Sequence, residues 1–252
     1  SVNRAPSRCR HRIQGAMKIL ACALLLTSVV GCGDDGGMTT PADAAPVVPA
    51  HIMISGTAQS KGISSAPLAG VAISAYSNTD ENTAVATATT DQSGNYTLDV
   101  TTNGKALDGY IKASIASYLD TYLYAPAPLA ADYAGASMNL VTENTLETLS
   151  SLCHHGITNA MGVVGLEVID KAGAVVAGAM VTGTPAPAAY CYDGTSGLPD
   201  STVMMTNADG LGYMLDLSGS VTVTASKSGM TFGSHVINVR IGSLTTTLVA
   251  GQ

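Results

Sequence analysis

The chain has 252 residues, enough for one or two domains. Only 12% of its residues are charged and 4% aromatic, with no Trp and one Phe; this is not the make-up of a large α/β enzyme core, which carries more Leu, Phe and charged helix faces. The net charge is −7, but residues 1–31 hold five basic residues (Arg4, Arg8, Arg10, Arg12, Lys18) and no acid, so the remainder carries six basic and eighteen acidic residues. An acidic chain without a basic patch is excluded as a nucleic-acid binder, because phosphate backbones call for clustered Lys or Arg.

The first element is the uncharged run Ile19 to Val30. It is shorter than the ~20 residues that cross a bilayer, and it has the length of a signal-peptide apolar region with Lys18 and the arginines on its positive side. Met17-Lys18 is the expected natural start, with residues 1–16 an upstream extension. The run closes on Val29-Val30-Gly31-Cys32. This resembles a bacterial lipobox, in which the cysteine becomes the first residue of the mature chain and carries lipid. The resemblance implies a lipid anchor at Cys32 and attachment to a membrane, since several acyl chains on one residue hold a protein durably. Gly33 stands where an Asp would resemble an inner-membrane retention signal of enteric bacteria, which points toward the outer membrane of a Gram-negative cell. The alternative is a buried cysteine in a small apolar helix. Gly33 to Ala50 mixes Gly, Pro and acid without periodicity, the composition of a disordered tether with a reach of at most about 60 Å.

Two later stretches match each other. Pro67-Leu68-Ala69-Gly70-Val71-Ala72-Ile73 parallels Val175-Val176-Ala177-Gly178-Ala179-Met180-Val181, and Thr89 to Val100 parallels Thr206 to Leu217. Gly109 to Ile115 then parallels Gly219 to Ala225. Matching blocks in one order argue for two copies of a module. Within them Tyr96, Leu98 and Val100 alternate with Thr97 and Asp99. Tyr213, Leu215 and Leu217 repeat the pattern, as do Val221, Val223 and Ala225. Period two between Asp-Gly or Ser-Gly turns predicts half-buried antiparallel strands, and each copy has the size of a small sandwich.

These blocks resemble the carboxypeptidase regulatory-like domain, a transthyretin-type β-sandwich. The residues that carry the resemblance are Pro67 to Ile73 and Thr90-Asp91-Gln92-Ser93-Gly94-Asn95-Tyr96 in copy one. In copy two they are Val168 to Gly173, Val176 to Ala179 and Asn207-Ala208-Asp209-Gly210. Copy two departs by a one-residue shift at its Asp-Gly turn and by an insertion containing Tyr190-Cys191-Tyr192-Asp193-Gly194. The resemblance implies an all-β fold of tandem Ig-like or transthyretin-like sandwiches and an accessory, non-enzymatic module. The expected organisation is extension plus signal peptide over 1–31, tether over 32–50, sandwiches over 51–141 and 162–252, and a helical connector over 142–161. In that connector Leu146, Leu149, Leu152 and Cys153 share a helical face, Asn144 with Glu147 forms a capping box, and Gly156 ends the helix.

Candidate chemistry is sparse. Cys153 and Cys191 form an even pair in an exported, oxidising setting and read as a disulfide; two buried thiols are the alternative. His154 and His155 are adjacent, unlike the two-to-five-residue spacing of paired metal ligands, and read as a solvated helix end; no metal or other cofactor is expected. The Asp91–Asn95 and Asn207–Gly210 turns contain oxygen ligands but lack the full calcium-loop pattern, and a β-turn explains them. No Gly-x-Ser-x-Gly, Ser-x-x-Lys, His-Glu-x-x-His or phosphate-loop motif occurs. A hydrolase or hydrolase accessory would need a Ser/Thr-His-acid cluster around His235. The remaining lead is tyrosine: Tyr118, Tyr122, Tyr124, Tyr190 and Tyr192, with Tyr110 and Tyr133 nearby, offer aromatic faces to a sugar or protein ligand, unless they are core packing in a chain short of Phe and Trp. The expected function is structural display or protein interaction at the cell surface, with glycan binding as the alternative.

Overall fold

The structure, a computed structural model, describes residues 47–62, 64–158 and 161–252. The signal-peptide and lipobox expectations, with most of the tether, lie outside the described residues. In chain order the first half contributes β1 (His51–Ser60), β2 (Ala66–Pro67), β3 (Ala72–Ser77), β4 (Asp80–Thr89), β5 (Asn95–Thr101), β6 (Gly109–Ser114), β7 (Thr121–Tyr124), β8 (Tyr133–Ala134) and β9 (Met138–Leu140). Helix α1 (Glu143–Leu152) follows. The second half adds β10 (Gly162–Ile169), β11 (Met180–Thr184), β12 (Ala189–Asp193), β13 (Pro199–Asp200), β14 (Leu211–Leu217), β15 (Gly219–Ser226), β16 (His235–Val239) and β17 (Leu244–Ala250).

The fold is all-β, and the internal repeat is reproduced in the main strand pairings, with β4 added in copy one and β12 and β13 in copy two. β1 pairs antiparallel with β5 and parallel with β9, as β10 does with β14 and β17. The β3–β6–β7 meander has its counterpart in β11–β15–β16. A shared hydroxyl stitch marks the same corner of each copy. The Thr90 hydroxyl donates to Leu68 O at 2.6 Å and accepts from Val71 N at 2.9 Å. Thr206 does the same with Val176 O at 2.7 Å and Ala179 N at 2.9 Å. Both threonines are buried, so Thr90→Val or Thr206→Val orphans a backbone N–H and a carbonyl. Each should lower unfolding free energy by about 1–2 kcal/mol, measured by urea denaturation, whereas Ser at either position should retain most of it.

The copies are not separate beads on a string. One nine-stranded sheet runs through both, in the order β13-β12-β14-β10-β17-β7-β6-β3-β4. The joint is the parallel pair β17–β7, from Leu244 opposite Thr121 to Thr247 opposite Tyr124. Neighbouring residues on a strand point to opposite faces, and β7 shows what that does here: Leu123 packs into the first-copy core with Ile52, Ile73 and Leu98, while Tyr122 and Tyr124 pack into the second-copy core with Leu166, Met214 and Ile237. The β1–β5 sheet therefore covers one face of the long sheet, and the β11–β15–β16 sheet covers the other. All four β7 side chains are buried, as befits a strand covered on both faces.

Alternation holds for Tyr96, Leu98 and Val100, which are buried beside exposed Thr97 and Asp99, and for Val221, Val223 and Ala225. It breaks in β14. Met214 and Leu217 enter the second-copy core, whereas Tyr213 and Leu215 face the opposite side, toward α1. The cause is a bulge: pairing slips between Gly162 and Val164, and Asp216 takes φ +58°. An extra residue in one strand reverses the facing of every residue beyond it.

The connector helix forms with different ends. Its N-cap is Thr142, whose side chain accepts from Thr145 N at 3.2 Å, and not Asn144. It closes at Cys153 with His154, rather than Gly156, at positive φ (+54°). Leu146, Leu149 and Cys153 face the protein, but Leu152 is 40% exposed, because a ten-residue helix on a flat sheet buries only a narrow stripe.

Candidate functional site

The end of α1 is tied down twice. Cys153 and Cys191 form the disulfide, with Cα atoms 5.7 Å apart, joining the helix to β12. His155 Nε2 lies 3.0 Å from Asp216 Oδ2, and Thr158 N donates to Asp216 Oδ1 at 3.0 Å, so the bulged residue of β14 anchors the turn after the helix. His154 Nδ1 sits 3.3 Å from the Ser201 hydroxyl. The two histidines thus point to different partners, and among the described residues no cluster of three or more His, Cys, Asp or Glu forms a metal site. The turns are closed by their own side chains: Asp91 Oδ1 accepts from Ser93 N and Asn95 N, both at 2.8 Å, and these bonds hold its carboxyl below the usual range. Asp170 makes the same turn with Ala172 N and Ala174 N.

The tyrosine lead is corrected for most of its members. Tyr122, Tyr124 and Tyr192 are buried, as is Tyr110, and Tyr118 and Tyr133 are half-buried. Their hydroxyls serve the backbone: Tyr192 Oη accepts from Val181 N at 3.1 Å, and Tyr190 Oη accepts from Gly183 N at 3.2 Å. Only Tyr190 of the five keeps substantial exposure, at 39%. With one Phe and no Trp in the chain, Tyr110, Tyr122, Tyr124 and Tyr192 are the large rings that fill the second-copy core, while Tyr118 and Tyr133 pack against the first.

Tyr110, Tyr122 and Tyr124 surround a cation that sequence reasoning missed. The Arg240 guanidinium stands 4.2 Å from the ring centroids of both Tyr110 and Tyr122. It donates to Tyr124 Oη at 3.1 Å and pairs with Glu81 at 2.9 Å. Glu81 belongs to β4 and Arg240 follows β16, so this cluster clamps one copy to the other.

His235 does not make a catalytic arrangement. Its Nε2 lies 2.7 Å from Thr247 Oγ1, and that hydroxyl donates to Tyr124 O at 3.0 Å. The Thr proton is committed to the carbonyl, so the imidazole must donate to the hydroxyl, the reverse of what a general base does. Burial pushes the His235 pKa down, and the structure shows no acidic residue bonded to its ring among the described residues.

An apolar cavity of about 300 Å³ lies on the α1 side of the long sheet. Its floor is β10, β14 and β17 (Val163, Leu215, Leu248), its roof is α1 (Leu146, Leu149), and its wall is the β8–β9 edge of the first-copy sheet. Polar side chains gather at one end. Glu167 and Lys61 line the cavity directly, and so does Tyr213, whose hydroxyl donates to Asp193 Oδ2 at 3.2 Å. Asp193 is 3% exposed, and among the described residues its Oδ1 has no hydrogen-bond partner. Burial, with the charge and close approach of the Asp209 carboxyl added, pushes the Asp193 carboxyl up to about 6, against the opposing Tyr213 bond and Lys61 charge. Burial and Asp209 also raise Glu167. An acid whose folded pKa is raised is stabilising when protonated, so this contribution is largest below about pH 4 and is lost as pH rises through about 6. Asp193→Asn should therefore raise stability by roughly 1–2 kcal/mol at pH 7.5 and leave it unchanged at pH 4, read from thermal melts at both pH values. Glu167, an acid inside the alternating run Gly165-Leu166-Glu167-Val168, was the one signal in the sequence that could have flagged this end.

No protein-family model matches the chain, and no curated protein matches it. Solved structures with partial likeness include the Bacillus anthracis TIE protein at 11% identity and TM-score 0.26, covering 80% of this chain and 34% of that one. The chain thus spans about a third of that protein's length. The shaft pilin SpaA from Lactobacillus rhamnosus GG matches at 13% identity and TM-score 0.25, covering 80% of this chain and 98% of the pilin. GBS52, the minor pilin of Streptococcus agalactiae, matches at 12% identity and TM-score 0.27, covering 79% and 95%. At these values the likenesses bear on neither the family nor the function of this chain.

Proposed function

We propose that this is a lipid-anchored envelope protein of a Gram-negative bacterium that displays a fused pair of β-sandwiches in a non-catalytic, structural or protein-interaction role. The observation that carries the reading is the junction at Val29-Val30-Gly31-Cys32: an apolar run of signal-peptide length ends on a cysteine, and a Gly-, Pro- and acid-rich tether begins at the next residue. Lipid on Cys32 supplies the membrane partner and places the protein at the outer membrane or cell surface. A non-catalytic role is supported by the use of the candidate groups: His235, Thr247, Tyr124 and Tyr192 are spent on internal hydrogen bonds. Glycan binding through stacked rings has less support, since Tyr190 alone among the five tyrosines is well exposed.

The test is an intact mass of the mature protein from the membranes of its host, together with fractionation of a Cys32→Ser variant. A mass beginning at Cys32 with diacylglycerol and acyl additions, and release of the variant from the membrane, are the expected results. A mature chain that retains residues 17–31, or that starts elsewhere without lipid, overturns the anchor.

A further inference from the structure

We propose that the cavity under α1 binds a small hydrophobic amine, a hydrocarbon chain or ring bearing one cationic head, with the ammonium seated at the Glu167 end. A 300 Å³ apolar cavity with a few polar groups at one end is the usual form of a small-molecule site. Its hydrocarbon part is made by leucines from three separate elements, Leu149 of α1, Leu215 of β14 and Leu248 of β17, so it can accept a chain or a ring without asking for any polar contact.

The choice of head rests on charge. Glu167 lines the cavity. Asp193 stands directly behind two lining residues, bonded to the Tyr213 hydroxyl and paired in the β-ladder with Pro199. Asp209 raises the pKa of both acids by its charge, so it belongs to the same cluster. Among the described residues Lys61 is the sole cation lining the cavity. Three carboxylates, one lining the cavity and two behind its wall, against one ammonium leave an excess of negative charge. A ligand ammonium at this end meets Glu167, the acid that lines the cavity, and offsets the charge of the acids behind it. A carboxylate or phosphate head would meet Lys61 only, and would bring a further negative charge to three existing ones.

The test uses the full chain carrying Cys32→Ser, oxidised and free of detergent, so that its outcome does not depend on whether Cys32 is lipidated. Decylamine, decanol and decanoate are titrated separately by calorimetry. Decylamine is expected to bind one site at least about tenfold tighter than either of the others, the scale of one charge-assisted hydrogen bond. Leu149→Trp, which fills the cavity, should abolish binding of all three. Glu167→Gln should weaken decylamine about tenfold and leave decanol unchanged. Decanoate binding as tightly as decylamine, decylamine binding that survives Leu149→Trp, or no saturable binding of any probe would each overturn the proposal. Unchanged secondary structure of Leu149→Trp by circular dichroism separates a filled cavity from a misfolded chain.

Discussion

Arg240→Ala should destabilise the protein by about 2–4 kcal/mol, the scale of two cation–π contacts and one charge-assisted hydrogen bond. The side chain does more than pair with Glu81. Its guanidinium faces two tyrosine rings at 4.2 Å, each such contact being worth about 0.5–2 kcal/mol, and it holds the Tyr124 hydroxyl at 3.1 Å. Glu81 is the exposed end of the cluster, and Glu81→Gln should cost less than about 1 kcal/mol. Arg240→Lys should fall between, because an ammonium cannot span two rings, a hydroxyl and a carboxylate with one planar fork. Guanidinium denaturation of the three variants gives the ranking directly; a Glu81→Gln loss equal to that of Arg240→Ala would mean the ion pair, and not the stacking, carries the energy. Because β17 and β7 join the copies in one sheet, wild-type protein should unfold in a single transition. Two resolved transitions would show that the copies are energetically independent.

Reduction of Cys153–Cys191 is the second large expected effect. The bond closes a loop across a separation of 38 residues, for which the chain-entropy relation gives roughly 3–4 kcal/mol. The consequences should be local before they are global. Released from β12, α1 is held by the His155–Asp216 contact and by the few leucines over the cavity, so amide exchange in 143–153 should accelerate well before that of β10 or β17. The paired Cys153→Ala/Cys191→Ala variant, compared with wild type in urea with and without reductant, checks both statements. A reduced wild type with unchanged midpoint would show that the helix needs no tether.

The Tyr96-Thr97-Leu98-Asp99-Val100 alternation and the matching turns of the two copies were legible because strand facing and turn chemistry are set within a few residues. The Asp216 bulge was not. Tyr213, Leu215 and Leu217 satisfy period two as written, and only pairing against Gly162 and Val164 shows that one residue is extra. The helix cap moved to Thr142 for a related reason: Thr142, Asn144 and the Glu residues offer overlapping capping patterns, and the chain leaving β9 selects one.

The tyrosines mark the same limit. Their crowding was visible, but a ring looks alike in sequence whether it faces solvent or a second copy's core. The unalternating Thr121-Tyr122-Leu123-Tyr124 was a sign of a strand covered on both faces, and it could have warned that β7 lies mid-sheet. Arg240 and Glu81 are 159 residues apart, and no local pattern links them.

Composition, short-range period and cysteine count were enough for the all-β class, the twofold repeat, the disulfide partners and the absence of familiar catalytic motifs, because each of these is written within a short stretch or a simple count. Folding in three dimensions was needed to make the copies share a sheet, to turn Tyr122 and Tyr124 into core, to set Arg240 as a clamp between the halves, and to enclose a cavity with Glu167, Tyr213 and α1. Those outcomes depend on which edge strands pair and which faces meet, and pairing between distant strands is settled by the summed fit of many side chains in space, which no single stretch of the chain records.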